Sequence, residues 1–348
     1  MKGTVVLLDE VAGRRAAALM VDGKLHDIFI DPPEGAAPGV GAISRAKADR
    51  PLKGQGGITL NLGNGDKGYM RRAKDIAPGD VFLVQVSGVA EPGKAAPVTP
   101  DLIFKSRYAI VTPFKPGLNV SRAIRDEDER DRLLEIAHDV GVYREDYGII
   151  VRSSAEGVDA EEVRQDIYLM CKTATATLAE FTPGHAAPPE WLLDADDAHT
   201  RAWREWDAPD EVIEGGFADN GVLEAVDAAL AARQPLSGGA YAYVEATRAL
   251  VAVDVNTGAD HSLAAGLKAN LALVRDLPRL TRIKGLGGQI TLDLAPMPKR
   301  DRKQVEDAVK KAFRLGGGDV VVAGWTPLGM LELTRKRDRA PLAQVWPR

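Results

Sequence analysis

The chain has 348 residues, 45% of them hydrophobic and 27% charged, with a formal net charge of −5; these are ordinary values for a globular protein of two or three domains. No apolar run approaches the ~20 residues that a membrane span needs, and MKGTVVLLDEV meets Asp9 and Glu10 too early for a signal peptide, so a cytoplasmic location is expected. The acidic balance argues against non-specific coating of nucleic acid, and a lone cysteine, Cys171, excludes both an intrachain disulfide framework and a cysteine-rich zinc site.

In chain order, TVVLL, RRAAALMV and KLHDIFI read as an antiparallel meander, with Asp22-Gly23 as a hairpin turn. Pro32, Pro33 and Pro38 then mark a linker. From Gly39 to Thr99, GAISRAKAD, GGITLNLG, KGYMRR and DVFLVQVSG are short strands with Gly-rich turns, LGNGDKG being the tightest. A barrel of five short strands, an OB-fold by economy, is expected. Lys53, Lys67, Tyr69, Arg71, Arg72 and Lys94 would give it a basic surface with an aromatic, although Tyr69 is equally suited to barrel packing. Residues 101–182 mix strands (IFKSRYAIVTP, YGIIVRSS) with two helices, the second opened by Asp159 as N-cap with Glu162 three residues on. Cys171 lies within that helix as a small core residue. Residues 183–220 resist assignment; His185, His199 and Asp194 to Asp197 are irregularly spaced and read as loop rather than a metal cluster.

GVLEAVDAALAARQ is a short helix closed by Ser237 to Gly239, after which strands and helices alternate. AYAYVEA and LVAVDVN are followed by a helix from Ser262 to about Arg275, then QITLDLA, a helix from about Arg300 to Arg314, and DVVVAG. This is a layered α/β domain. In LVAVDVN the alternation sets Asp254 and Asn256 on one face; in QITLDLA it sets Asp293 opposite Ile290, Leu292 and Leu294. Two carboxylates near the ends of neighbouring strands suit a divalent cation that prefers oxygen ligands and water. They suit helix capping or pairing with a nearby Lys or Arg as well. The basic runs at Lys299 to Lys303 and Arg335 to Arg339 read as solvated helix faces or as phosphate contacts.

Together VDVNTG, KANLALV, LGGQITLDLAPM with KRDRKQVEDAVKKA, and LGMLELTRKR resemble the catalytic core of the ribonuclease E/G family. Upstream, SRYAIVTP, NVSRAI and GIIVRSSAEG resemble the family's sensor for the RNA 5′ end, so the resemblance covers nearly the whole chain. It implies an α+β multidomain protein: an RNase H-like domain in two segments (1–35 and 183–237), interrupted by an OB-fold RNA-binding barrel (36–100), a mixed α/β 5′-sensor region (101–182), and a layered deoxyribonuclease I-like catalytic domain (238–348). It implies an endoribonuclease that cuts single-stranded RNA, favouring a 5′-monophosphorylated end. Asp254 and Asp293 would hold magnesium, with manganese as an alternative, and Asn256 would orient Asp254 or the scissile phosphate. Arg152 and Ser153 would bind the 5′-monophosphate; without the resemblance, Arg152 reads as a surface ion pair with Glu156. RNA contacts are further expected from Tyr69, Lys94, Arg107, Arg122, Lys299, Arg335 and Arg337.

The chain departs from the family in several places. The Cys-x-x-Cys pair that links subunits through zinc has no counterpart here, so neither zinc nor a zinc-linked dimer is expected, while other self-association stays open. The scaffold tail of the family's longer members is not expected. GITLNLG lacks the aromatic usual on the second barrel strand, and residues 183–236 are shorter than the family's segment. The competing reading is a non-catalytic RNA-binding or regulatory relative.

Overall fold

The computed structural model describes residues 2–52, 56–71, 76–91, 93–140, 146–182, 187–316 and 318–347. Lys53, Arg72 and His185, named above, lie outside these. The chain divides into two compact units, Glu34–Ala208 and a second made of Met1–Pro33 with Pro209–Arg348. Among the described residues no helix is long and apolar enough to cross a membrane.

In Glu34–Ala208, five strands close on themselves: Ile43–Leu52 pairs with Gly57–Gly63, then come Asp66–Met70, Ala96–Thr99 and Val81–Val86, which pairs back onto Ile43–Leu52. Closure removes the free edges a small sheet would otherwise expose. Alternation fills the barrel with Ile58, Leu60, Leu62, Met70, Val84 and Val98. Asn64 and Gly65 both have positive φ, the conformation a two-residue hairpin turn demands. A sixth strand, Glu190–Leu193, adds antiparallel to Ile43–Leu52. Part of the stretch expected to complete the RNase H-like domain is therefore committed to the barrel sheet. Nothing local in EWLL announces so distant a partner.

The rest of this unit is a four-stranded sheet, ordered Gly117–Val120, Tyr147–Val151, Ala109–Pro113 and Phe104–Lys105, covered by helices Glu127–His138 and Ala160–Ala179. Asp159 caps the second helix, its carboxylate accepting from the backbone N–H of Glu161 and Glu162. Cys171 is fully buried, and burial pushes its thiol up to about 11.

In the other unit, the N-terminal meander Thr4–Val11, Arg14–Val21 and Lys24–Ile30 is joined by Glu211–Glu214, parallel to Thr4–Val11, and packs on helix Val222–Leu230. Asp22-Gly23 forms the expected turn, and Ala12-Gly13 forms a second of the same kind.

A six-stranded sheet follows, ordered Arg233–Pro235, Tyr241–Ala246, Val251–Asn256, Gly288–Asp293, Leu331–Arg335 and Val320–Trp325. Helices Ala265–Ile283 and Arg302–Leu315 pack against one face, burying Val251, Val253, Val255, Ile290 and Leu292 beneath Leu273, Leu277, Val305 and Phe313. Each such side chain contributes about 1.5–3 kcal/mol. The first helix runs two turns beyond the expected end near Arg275, straight through Pro278. Proline removes a helix donor there, and the buried run Leu277, Leu280 and Ile283 overrides that cost.

Candidate active site

Because one face of the six-stranded sheet is covered by helices, period-2 alternation leaves the other face for polar side chains. In the strands Val251–Asn256 and Gly288–Asp293, Asp254 and Asp293 are exposed while their neighbours Val253, Val255 and Leu292 are buried. The two strands are parallel, and the register sets Asp254 directly beside Asp293. Adjacent strands lie about 4.8 Å apart, so two carboxylates project side by side from one surface. Like charges so placed repel one another. Asn256, on the same face, donates from Nδ2 to Asp254 Oδ2 at 2.9 Å, fixing one carboxylate oxygen.

Behind the acids, a residue not singled out from the sequence positions the chain. Asn270 is fully buried in the helix Ala265–Ile283. Its Nδ2 donates to the Ala295 carbonyl and its Oδ1 accepts from the Ala295 N–H, both at 2.9 Å. This clamps the segment two residues beyond Asp293. The same helix comes so close at Gly266 that a Cβ there would lie 1.9 Å from the Pro296 carbonyl oxygen; only glycine permits that approach. The sequence signal was a polar residue in the apolar run ANLALV.

The open face continues beyond the acids. Tyr243 stands in register with Asp254, Tyr241 with Asn256, and Arg233 on the edge strand with Tyr243. On the other side Glu332 pairs with Thr291 and lies 3.4 Å from the Gln289 amide. Among the described residues no group of three or more His, Cys, Asp or Glu is set to hold a metal ion. The adjacent carboxylates of Asp254 and Asp293 are oxygen donors of the kind a hydrated divalent cation takes.

The predicted RNA contacts divide by location. Lys299 is exposed in the short helical turn that follows the Asp293 segment. Arg337 is half-buried, with its guanidinium against the Gly288 backbone. Arg335 departs from expectation: it is buried, donating from Nη1 to the Leu286 carbonyl at 2.8 Å and pairing with Asp338. In LELTR the alternation puts it on the same side as Leu331 and Leu333, so its role is to hold the adjoining loops. On the barrel exterior, Tyr69 is half-buried with its ring over the Gly57 backbone, and Lys94 pairs with Glu91 beside a shallow groove that Lys67 and Asp49 also line.

Arg122 is exposed in a turn. Arg152 and Arg107 belong to one partly buried cluster. Arg152 Nη1 donates to the carbonyls of Ser106 at 2.5 Å, Arg107 at 2.9 Å and Arg204 at 2.9 Å, and Nη2 lies 3.5 Å from Glu205. Its ion-pair partner is thus Glu205, not Glu156. The Arg107 guanidinium stacks 4.0 Å from the Trp203 ring centroid. Lys105 donates to both Glu205 oxygens, at 2.8 and 2.5 Å. Burial pulls the pKa of Arg152 and of Lys105 below their ordinary values. Burial is the largest single influence on Glu205 and pushes it up, but the Lys105 hydrogen bond together with the charges of Lys105, Arg204 and Arg152 outweighs it and holds that carboxyl below the usual range. The Ser153 side chain is exposed at the rim.

A sequence model described as the ribonuclease E/G family matches residues 104–213 and 210–338. Ribonuclease E of Nostoc sp. (strain PCC 7120) is 27% identical, over 90% of this chain and 51% of that protein. Ribonuclease G of Escherichia coli (strain K12) is 26% identical and that of Salmonella typhimurium 24%, each over 98% of this chain and 82% of the relative. The chain thus spans about half the length of the Nostoc relative and most of the other two.

Proposed function

The chain belongs to the ribonuclease E/G family, and on that premise we propose that it is an endoribonuclease cutting single-stranded RNA at the acid pair Asp254 and Asp293. The observation that carries this reading is their register: two exposed carboxylates side by side, one locked by an asparagine amide. A surface built only to bind a phosphate backbone has no use for paired negative charge, which repels it. This argues for the enzyme over a non-catalytic relative.

Asp254 and Asp293 would hold magnesium, or manganese, which when bound lowers the pKa of a coordinated water and offsets charge on the attacked phosphate. The residues of the chain supply position. Asn256 keeps Asp254 Oδ2 aimed from the sheet, Asn270 fixes the backbone beyond Asp293, and Lys299 adds positive charge for a neighbouring phosphate. The domain reading accompanies the activity: Met1–Pro33 with the segment from Pro209 as the RNase H-like part, the barrel as the RNA-holding OB-fold, and 238–348 as the deoxyribonuclease I-like part.

The preference for a 5′-monophosphate is assigned to the cluster of Lys105, Arg107, Arg152 and Arg204, with the Ser153 hydroxyl at its rim. Because Glu205 already occupies Lys105 and Arg152, an incoming phosphate would bind by competing with that carboxylate. The test is cleavage of matched 5′-monophosphorylated and 5′-triphosphorylated RNAs with magnesium, by wild type, Asp254→Asn, Asp293→Asn and Arg152→Ala. Cutting by the aspartate variants at the wild-type rate would remove the acid pair from the mechanism. Tight binding without cutting by wild type would favour the non-catalytic reading. An unchanged end preference in Arg152→Ala would remove the sensor assignment.

A further inference from the structure

The strip of side chains next to the acid pair has no role in the reading above. Tyr243 and Tyr241 alternate on the strand Tyr241–Ala246, both on the open face, while Ala242 and Val244 between and beyond them are buried in the core. Register places Tyr243 one strand from Asp254 and Arg233 one strand further, so a single row crosses the sheet as Arg233, Tyr243, Asp254, Asp293. Tyr241 lies in the adjacent row beside Asn256.

The tyrosine rings meet edge to face, centroids 5.9 Å apart at 89°, and the Arg233 guanidinium sits 4.1 Å from the Tyr241 centroid. Arg233 therefore stiffens Tyr241, and Tyr241 in turn props Tyr243, which stays 38% exposed. The result is a part-exposed aromatic ring next to the acids, with the Arg233 backbone two strand spacings, about 10 Å, from that of Asp254.

We propose that this strip is a nucleotide-binding subsite: Tyr243 stacks the base of a nucleotide flanking the cut bond, and Arg233 contacts the next phosphate out along the same strand of RNA. The proposal rests on the endoribonuclease reading and extends it to cleavage-site choice. Three features single out RNA as the occupant. The strip is continuous with the acid pair in one register. It joins aromatic faces to a cation, the combination that grips single-stranded nucleic acid. It also lies in line with the acids, so a chain seated on it passes over them. Stacking tolerates any base but favours larger ones, so the subsite biases cutting without reading a strict sequence.

The experiment uses the full chain and a short fluorescein-labelled oligoribonucleotide with one mapped cut, in intact form and with an abasic residue at each position flanking the cut. Tyr243→Ala should lower kcat/KM on the intact oligonucleotide by roughly 5- to 150-fold, the effect of losing one base–aromatic stack. It should cause no loss on the oligonucleotide abasic at the stacked position, and Tyr243→Phe and Tyr243→Trp should keep the rate. Arg233→Gln should weaken binding and reduce the slope of log affinity against log salt by about one.

Binding of the same oligonucleotide is measured in an Asp254→Asn/Asp293→Asn background, with and without Tyr243→Ala. If wild type does not cut RNA yet this binding still depends on Tyr243, the subsite stands and the endoribonuclease reading falls. Equal losses on intact and abasic substrates, or cleavage and binding indifferent to Tyr243 and Arg233, would overturn the subsite.

Discussion

Replacing Asn270 by alanine tests whether the acid site is held from behind. The asparagine is fully buried and satisfies both backbone groups of Ala295, which is itself 4% exposed. Asn270→Ala strands one buried N–H and one buried C=O, each costing about 1–3 kcal/mol when left without a partner. A loss of about 3 kcal/mol is expected from the pair. For a unit of this size 1 kcal/mol corresponds to about 2–4 °C, so the melting transition containing this sheet should fall by about 6–12 °C. Urea unfolding at 25 °C gives the free energy, and single-turnover cleavage well below the transition gives the functional half. Because Asp293 precedes the clamped residue by only two positions, the rate of the cutting step should fall while affinity for RNA holds. A variant within about 0.5 kcal/mol of wild type, the range of an ordinary surface substitution, and with an unchanged cutting rate would refute the clamp.

Asp254→Asn or Asp293→Asn alone should abolish cutting yet raise stability by about 0.2–1 kcal/mol, because each removes a like-charge cross-strand pair; millimolar magnesium should raise the melting temperature of wild type and leave that of the double variant unchanged. Arg335→Ala should cost about 2–3 kcal/mol, since it strands the Leu286 carbonyl and removes the partner of Asp338, and filter binding at low temperature should show unchanged RNA affinity. Lys284 is buried, which lowers its ammonium from 10.5 to about 8, and it donates to an Ala231 carbonyl that also accepts from Gln234. Below pH 8 the folded chain must carry this charge at a cost, whereas the unfolded chain keeps the proton up to its ordinary value. Stability should therefore rise between about pH 8 and 10.5. Lys284→Met should melt higher than wild type at pH 7 by differential scanning calorimetry, and the gap should close towards pH 10.5.

What was legible in the sequence follows the rule that one covered face imposes. Asp254 and Asp293 could be placed on a common open face because Val, Ile and Leu fill every alternate position around them. Asp22-Gly23, the barrel hairpin at Asn64-Gly65 and the Asp159 cap were legible because each is settled by residues within a few positions. Arg335 was open to the same alternation, but the charge run RKRDR hid it; burial of an arginine depends on finding Leu286 and Asp338, which periodicity does not report. The partner of Arg152 is illegible for a similar reason. Glu205 lies more than fifty residues away on a helix in a stretch without periodic signal, and only the packed chain brings the two together. The strand Glu190–Leu193 shows the same limit for backbone pairing.

The parallel register that sets Asp254 beside Asp293 also governs when the site can exist. The two strands are separated by the long helix Ala265–Ile283, so their pairing needs a complete crossover rather than a hairpin. Contacts of that span close late, after the loop entropy has been spent. The Asp254 strand precedes the helix and the Asp293 strand in the chain, so the acids can pair only once all three have been made. On the proposed reading, the chain acquires its cutting site only with the tertiary step that brings these two acids together.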